Sequence, residues 1–409
     1  MIKNYLNSLI PVLILSLAIG CSDNNNNSSE PDSNIDTVAI DEKVSELLEN
    51  SKIPGLSIAL VSTKSDTPEF WSKGYGWANI ETQTPVDDNT AFWMASVSKA
   101  VLGTLIQMAN EQGIVNLDSD IRPELSVAAN FSIDDPLNRA INLRSLATHT
   151  SGIVDTSTYN CAYYLLDENG NAQSLLDAVG VESPLNCDVQ GRTSLRDYLY
   201  SYLDSEGLYY DSVANFSSTN TFEYSNIGSG LAGLYLELQS GQSLHEFAAT
   251  QLFTPLGMGH TGWTSESLSG VSIATPHISE GGDTIALPIY ELATYPDAGL
   301  RSSASDMALF LSLIMNDGLF EGSRLLQSTS IEELTTPSEA NSEYGFFFEL
   351  DTDGGYGHTG EDPGAGTYMF VDPSESAGVV LLANTDFDGA DFRVLEELLE
   401  LLFDSAKAL

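Results

Sequence analysis

Apolar residues change their spacing along the chain, and this spacing predicts where helices and strands lie. Residues 38–50 and 391–406 have helical spacing, which predicts one helix near each end of the folded part. Apolar runs and period-two alternation predict strands at 53–63, 68–77, 344–350, 356–359, 366–372 and 378–384. The long stretch between these groups reads as helical segments broken by Gly, Pro and Asn. We therefore expect an α+β fold in which one antiparallel sheet, flanked by helices, is built from distant segments around an inserted all-helical lobe.

The N-terminal residues read as a leader and a linker. Residues 1–20 combine a short basic start, an apolar core and a small-residue cleavage site, which is typical of a signal peptide. This segment resembles a bacterial lipoprotein signal, in which Cys21 would be lipidated; Ala18 departs from the commonest pattern and leaves simple cleavage as the alternative. Residues 21–37 have the composition of a flexible tether. We expect an exported lipoprotein that faces the periplasm or cell exterior and contacts a membrane through its lipid anchor.

The rest of the chain, residues 38–409, is predicted to be one domain with two lobes. A sheet lobe would take about 38–95 and 320–409, and a helical lobe about 96–319. The interface between two such lobes is a common place for a ligand site.

Charge excludes some classes of partner. The 409 residues include 58 acidic and 15 basic side chains, a formal net charge of -43. A field this negative repels nucleic acids and anionic lipids. A hydrophobic content of 42% argues against disorder, because there is ample apolar surface to bury. The partner we expect is a small molecule.

Ser96 and Lys99 form a Ser-x-x-Lys pair at the start of a long apolar run. On a helix, side chains three residues apart lie on one face, about 5–6 Å from each other, so the amine can reach the hydroxyl. A lysine kept unprotonated by burial can take the proton of a serine during attack on a carbonyl. The alternative is a helix-capping serine beside a surface lysine. Apolar neighbours on both sides favour burial and therefore the catalytic interpretation.

Tyr224 and Asn226 form a second short motif just before a predicted helix. A cation beside a tyrosine favours the phenolate, so Tyr224 could act as base towards Ser96 and as acid towards the leaving group. An amide such as Asn226 could hold Lys99 or the substrate carbonyl. Taken alone, Tyr224 is more simply explained as a core or rim tyrosine.

His358, Thr359 and Gly360 form a third motif on a predicted strand. Gly360 would allow the strand to approach the substrate closely, because it has no side chain. The backbone N–H of Glu361 could then pair with that of Ser96 as an oxyanion hole. A histidine two residues before a glycine is a weak signal by itself. The catalytic interpretation is favoured instead by the order and spacing of the three motifs along the chain.

Several segments together resemble the class C β-lactamase-like branch of the serine β-lactamase and penicillin-binding-protein superfamily. They are SVSK at 96–99, EQGIVNLDSDI at 111–121, LRSLATHTSGI at 143–153, YSN at 224–226, FTPLGMGHTGW at 253–263, AGLRSSASDMALF at 298–310 and HTG at 358–360. The resemblance implies a β-lactamase/transpeptidase-like fold. It implies Ser96 as the acylated nucleophile and Lys99 with Tyr224 as the proton-transfer pair. Substrate-binding residues on the same grounds would be Asn226, His358, Thr359, Gly360 and Glu361.

His358 departs from the class C pattern, which has lysine at this position of a Lys-Thr-Gly motif. Imidazole is mostly neutral at pH 7 and binds a substrate carboxylate less well than an ammonium group. Histidine here resembles the branch's esterases, D-amino-acid peptidases and other amide hydrolases. We therefore expect an ester, amide or peptide substrate. Arg301 could supply a positive charge instead, although a structural salt bridge is the simpler interpretation of it.

Other candidates were weaker. The five histidines lack metal-binding spacing, so we expect neither a metal nor another cofactor. His149 lies in a segment that resembles a structural signature and is a poor candidate for direct chemistry. Cys161 and Cys187 could form one disulfide.

The sequence leaves two alternative functions open. One is a β-lactamase or D-alanyl-D-alanine carboxypeptidase, and the other is a non-catalytic cell-wall-binding lipoprotein.

Overall fold

The computed structural model describes residues 35–65, 67–167, 169–180, 187, 189–191, 193–280, 283–387 and 392–409. The predicted signal peptide, Cys21 and most of the tether lie outside these residues, so the structure does not test them. Within the described part of the chain, every helix is too short or too polar to cross a bilayer.

A seven-stranded antiparallel sheet forms the centre of one lobe. The strands of the described chain are β1 Gly55–Ser62, β2 Glu69–Asn79, β3 Thr84–Pro85, β4 Phe92–Trp93, β5 Tyr163–Leu166, β6 Ala172–Ser174, β7 His277–Glu280, β8 Asp283–Ala286, β9 Glu291–Leu292, β10 Arg301–Ser302, β11 Leu319–Phe320, β12 Ser323–Arg324, β13 Glu349–Leu350, β14 Tyr356–Asp362, β15 Ala365–Asp372 and β16 Ala377–Ala383. The order of strands in the large sheet is β13, β14, β15, β16, β1, β2, β3. Strand β1 pairs with both β16 and β2, which confirms one sheet built from distant segments.

The α-helices surround this sheet and fill the second lobe. They are α1 Thr37–Asn50, α2 Ser98–Glu111, α3 Arg122–Ala128, α4 Leu143–Ala147, α5 Leu175–Ala178, α6 Leu195–Leu203, α7 Asn226–Ser240, α8 Leu244–Ala248, α9 Thr254–Leu256, α10 Ala304–Met315, α11 Ser328–Thr335 and α12 Phe392–Lys407. A 3₁₀ turn at Ala95–Val97 precedes α2.

Both faces of the sheet are covered by helices. Strand β1 is buried along its whole length because successive side chains point to opposite faces. Leu56, Ile58 and Leu60 pack into the core that α1 and α12 share, and Ala59 and Val61 face the larger core on the other side. Helix α10 packs on that second face, against β1 and β16, although it falls within the range predicted for the helical lobe.

The inserted lobe is not all helical, which corrects the prediction. Strands β5, β6 and β9 form a small sheet within it, and β7 pairs with β8. Short strands between turn residues carry little periodicity, so the sequence pattern does not separate them from loops. Cys161 and Cys187 are joined in a disulfide, with their Cα atoms 5.1 Å apart.

The strand predicted at 344–350 is mostly irregular. Phe347 has a φ of 58°, in the left-handed region, which interrupts an extended chain. The N–H groups of Phe346 and Phe347 donate to the carbonyls of Leu334 and Ala147 rather than to a neighbouring strand. This segment therefore links the sheet to the helical lobe at the level of the candidate site, and Glu349–Leu350 alone of it forms a strand.

Candidate active site

Ser96 lies in the 3₁₀ turn that leads into α2, between the sheet and the helical lobe. It is partly exposed, whereas the other residues of 91–100 are buried. Ala95, directly before it, has a φ of 46°, a left-handed conformation that is costly for a residue with a side chain. The local fold therefore presents one serine hydroxyl at the surface of an otherwise closed helix start.

Lys99 is fully buried on the first turn of α2, below Ser96. Its Nζ lies 3.1 Å from Ser96 Oγ, 2.7 Å from Asn226 Oδ1 and 2.9 Å from the carbonyl oxygen of Asp297. Oδ1 and the carbonyl are acceptors, so they take two N–H hydrogens. In the neutral amine the lone pair then faces Ser96 Oγ, which is the geometry a general base requires.

Burial lowers the pKa of the Lys99 amine, and nearby carboxylates oppose that shift. The carboxylates that raise it are Asp297, Asp362, Asp155 and Glu349. Burial in turn raises the pKa of the Asp297 carboxyl to about 7 and that of Asp362 to about 6. Burial therefore makes the neutral amine more accessible than it is for a lysine in water, while the carboxylates favour the ammonium form.

The Tyr224 phenol lies beside Ser96, and the Lys99 amine lies 4.9 Å from the centre of its ring. Burial raises the pKa of the Tyr224 phenol well above its usual value, and the carboxylates of Glu349, Asp297 and Asp155 act in the same direction. The expectation of a phenolate beside the lysine is therefore not met. Tyr224 is a neutral phenol in the resting site, suited to donating or relaying a proton.

Asn226 is the first residue of α7, and the start of that helix is held by two side chains. Ser225 Oγ accepts from the N–H of Gly228 as the helix cap. The Asp155 carboxylate accepts from the N–H groups of Asn226 and Ile227 at 2.8 and 3.0 Å. This capping aims the Asn226 amide at Lys99. Asp155 was not among the predicted site residues, because its partners lie about seventy residues away along the chain.

Strand β14 passes next to Ser96 at Gly360. A Cβ built on Gly360 would lie 2.3 Å from Thr367 Oγ1, 2.7 Å from the Met94 carbonyl oxygen and 2.9 Å from the Ser96 nitrogen. Any larger residue would displace the serine or the strand. The predicted close approach of this glycine is what the structure shows.

The backbone N–H of Glu361 points away from β15. The N–H of Thr359 donates to the side chain of Glu349 on the edge away from β15. Because N–H directions repeat every second residue in a strand, the Glu361 N–H points to the same edge. Strand β14 contacts the turn that holds Ser96, and the oxyanion hole formed by the N–H groups of Ser96 and Glu361 stays a prediction.

His358 is fully buried, and both of its ring nitrogens have partners within the protein. Nδ1 lies 2.5 Å from the carbonyl oxygen of Thr359, and Nε2 lies 3.1 Å from the hydroxyl of Tyr344. Burial, with Lys99 nearby, lowers its pKa to about 3, so the ring is neutral at pH 7. The predicted substrate contact of His358 stays a prediction, since the imidazole is fully buried and both of its nitrogens are occupied within the protein.

A directed chain of hydrogen bonds connects His358 to the start of α7. The N–H of Ser225 donates to His149 Nδ1 at 3.1 Å, so His149 carries its hydrogen on Nε2. That Nε2–H donates to the Tyr344 hydroxyl at 3.0 Å, which leaves the Tyr344 hydrogen for His358 Nε2. His358 then donates from Nδ1 to a carbonyl. Both imidazole tautomers follow from the backbone groups at the two ends.

His149 and Tyr344 thereby pack and hydrogen-bond next to the predicted catalytic residues. The His149 ring lies against the Tyr224 ring, with centres 4.3 Å apart. The prediction of a structural role for His149 agrees with this position. Tyr344 was missed as a site residue, because the sequence placed it inside a predicted strand.

Removing the Tyr344 hydroxyl tests the series of hydrogen bonds that joins His149 to His358. We expect Tyr344→Phe to lower the free energy of unfolding by about 1–3 kcal/mol, because two buried ring nitrogens lose their partner. Urea unfolding measures the loss, and ¹⁵N NMR of histidine-labelled protein reports the tautomers of His149 and His358. Tyr200→Phe, on a half-buried ring in α6, is the control. Unchanged stability and unchanged histidine signals in Tyr344→Phe would show that the Tyr344 hydroxyl does not join the two histidines.

Arg301 has a structural role. Its side chain is buried, donates to the carbonyl of Tyr290 at 2.6 Å and lies 3.3 Å from the Glu291 carboxylate. The guanidinium also lies 4.5 Å from the centre of the Trp93 ring. Its charge is compensated locally, which agrees with the salt bridge considered from the sequence.

Comparisons with known proteins identify what this arrangement resembles. A model of the family described as Beta-lactamase matches residues 40–402. Protein flp of Staphylococcus aureus (strain N315) is 23% identical over 352 residues, which make up 84% of this chain and 62% of flp. The chain therefore spans less than two thirds of the length of that relative. Penicillin-binding protein 4 of Amycolatopsis lactamdurans is 26% identical over 351 residues, or 81% of each protein.

The fold has counterparts among solved structures. The octameric penicillin-binding protein homologue from Pyrococcus abyssi superimposes with a TM-score of 0.68. The match covers 90% of this chain and 78% of the other, at 21% sequence identity. At that identity the likeness shows a shared fold, and the chemistry has to be argued from the residues.

Proposed function

This chain belongs to the beta-lactamase family, and from that membership we propose that it is a serine hydrolase that cleaves an ester or amide bond through an acyl-enzyme on Ser96. The observation that carries the proposal is the contact of 3.1 Å between Lys99 Nζ and Ser96 Oγ. The other two hydrogen bonds of that amine are satisfied by acceptors, so its third direction is reserved for the serine.

Acylation begins when neutral Lys99 takes the proton of Ser96 as Oγ attacks the substrate carbonyl. The negative charge on the carbonyl oxygen would be stabilised by the N–H groups of Ser96 and Glu361. Tyr224 donates its proton to the leaving oxygen or nitrogen and recovers a proton from the Lys99 ammonium. The proton of the serine thus ends on the leaving group, and both catalytic side chains return to their starting states.

Deacylation repeats these steps with water. Lys99 takes a proton from the water molecule as its oxygen attacks the acyl carbonyl. Collapse of the tetrahedral intermediate breaks the bond to Ser96 Oγ, which regains its proton from Lys99. The products are a carboxylic acid and free enzyme.

The geometry supports ester or amide hydrolysis over β-lactam hydrolysis. A neutral, buried His358 occupies the position of the lysine that would pair with a β-lactam carboxylate. The alternative of a β-lactamase or D-alanyl-D-alanine carboxypeptidase has support from the similarity to a penicillin-binding protein. Comparing turnover of nitrocefin with that of p-nitrophenyl acetate separates the two.

Covalent labelling tests the proposal. A fluorophosphonate probe should form one adduct, and peptide mapping should place it on Ser96. Labelled penicillin, used in parallel, reports any reaction with β-lactams. Active protein that carries the label on another serine, or none, would overturn the proposed function.

We also propose that the chain is exported and anchored through a lipid on Cys21. The support is the signal-like composition of residues 1–20 and the polar linker that follows. Mass spectrometry of the N-terminal peptide after expression in a Gram-negative host should find an acylated cysteine in the membrane fraction. A soluble product cleaved elsewhere would reject the anchor.

A further inference from the structure

Glu349 is a buried carboxylate that the mechanism above does not use. It sits at the start of β13 and is 4% exposed. Oε2 accepts from the N–H of Thr359 at 3.0 Å, and both oxygens lie 3.0 Å from Thr359 Oγ1. The Glu349 carboxylate therefore accepts from both donors of Thr359, its backbone N–H and its hydroxyl.

Thr359 lies on the strand beside the nucleophile, one residue before the glycine that touches Ser96. Its hydroxyl is half-buried, and the hydrogen of that hydroxyl is directed at Glu349. The hydroxyl can therefore offer lone pairs, and not a hydrogen, to a ligand that lies beside Thr359. The Thr359 N–H is also used. A substrate carboxylate meets no donor from this residue.

The ionisable groups around Lys99 are mainly carboxylates, which carry negative charge when ionised. Carboxylates of Asp297, Asp362, Asp155 and Glu349 act on Lys99, and Arg301 is paired with Glu291. His358, 3.4 Å from Glu349 through Nδ1, adds no positive charge at neutral pH. The whole chain carries a formal net charge of -43. Charges buried at low dielectric act strongly on a ligand nearby.

We propose that Glu349, acting through Thr359, makes this active site select substrates that carry an ammonium group or another hydrogen-bond donor, and reject substrates that carry a carboxylate there. The inference rests on the proposed function and assigns a substrate class to it. Glu349 is a specificity-determining residue and takes no part in the bond-breaking steps.

The state of Glu349 sets the conditions of the test. Burial raises the pKa of its carboxyl to about 7, so at pH 8 the group is mostly ionised. The titratable groups around it are His358, Lys99, Tyr224, Tyr344 and Tyr368. Of these, Lys99 opposes the raised pKa, and the tyrosines are neutral at pH 8 because burial raises their pKa values.

Matched esters of different charge measure the selectivity. One series varies the alcohol: 2-(trimethylammonio)ethyl acetate, the isosteric 3,3-dimethylbutyl acetate, and 3-acetoxypropanoate. A second series varies the acyl group: p-nitrophenyl esters of 4-aminobutanoate, pentanoate and succinate. At pH 8 we expect kcat/KM of the wild type to favour the cation over the carboxylate by at least about 10-fold in one series.

Three substitutions test whether that preference comes from Glu349. Glu349→Gln keeps the size of the side chain and should lower the ratio of cation to carboxylate at least about 5-fold, mainly through KM. Glu375→Gln removes the same charge from an exposed turn between β15 and β16 and should leave the ratio unchanged. Thr359→Val, which removes the hydroxyl, should lower the ratio as well, and it serves if Glu349→Gln fails to fold.

Each outcome decides the matter. A wild type that prefers the carboxylate, or shows no charge order in either series, overturns the inference. An equal shift in Glu349→Gln and Glu375→Gln assigns the effect to overall charge and overturns it too. If Ser96 is labelled by the fluorophosphonate and these results are negative, the inference alone fails. If Ser96 is not labelled, the proposed function fails and the inference falls with it.

Discussion

Ser96→Ala is expected to lower kcat for ester hydrolysis by about 10,000-fold or more and to abolish labelling by the fluorophosphonate. The hydroxyl at position 96 is the partly exposed group above a buried lysine, and the acyl-enzyme cannot form without it. The loss should appear in kcat, because the acylation step itself is removed. Initial rates with p-nitrophenyl acetate and intact-protein mass spectrometry measure both effects.

Ser272→Ala is the matched control for this substitution. Ser272 is exposed, its carbonyl accepts from the N–H of Ala91, and its side chain takes part in none of the contacts described above for Ser96, Lys99 and Tyr224. It should keep wild-type rates and labelling. Unchanged hydrolysis in folded Ser96→Ala protein would favour the non-catalytic binding lipoprotein or another nucleophile.

Lys99→Met is expected to lower kcat about 1,000-fold while the protein stays folded. Methionine has a similar shape and no proton-accepting nitrogen, so Ser96 would lose the group 3.1 Å from its oxygen. In the wild type, kcat/KM should rise with pH as the Lys99 amine loses its proton, since the neutral form is the base. That rise should vanish in the variant. A pH series of kcat/KM, with circular dichroism as the check of folding, measures this.

Lys43→Met provides the comparison for a lysine without a catalytic role. Lys43 pairs with Glu46 and Glu397 at the surface, at 2.8 Å from each. Its substitution should leave both the rate and the pH series unchanged. If Lys99→Met retained a rate within about 10-fold of the wild type, Tyr224 rather than the lysine would have to be the base.

Local sequence pattern was sufficient for the long strands of the large sheet and for the Ser96–Lys99 pair at the start of α2. The spacing of Ser96 and Lys99 and the apolar residues around them require one helix turn and its burial, and neither depends on distant residues. The apolar runs of β1 and β16 similarly follow from having two covered faces, and the alternation in β15 follows from having one face less covered than the other. The segment from Tyr344 to Phe348 was different, since its hydrogen bonds go to other parts of the fold.

A lone acid in an apolar run was a signal that could have been used. Glu349 follows three phenylalanines, and Asp297 stands directly before the AGLRSS segment that carries the resemblance. Acids in such surroundings are seldom fully buried without a partner. The sequence could have marked both as unusual, although it could not have paired them with Thr359 and Tyr159.

The sequence by itself determined the family, the sheet assembled from both ends of the domain, and the three motifs in their order. Those properties are set by residue type and by spacing over a few positions, which the chain carries at every stage of folding. Tertiary structure alone decided the charge states: Tyr224 is a phenol and His358 is neutral and occupied at both nitrogens, because burial removes water from each. Desolvation and hydrogen-bond direction depend on residues far apart along the chain, and these two effects determine which groups of the motifs can act on a substrate.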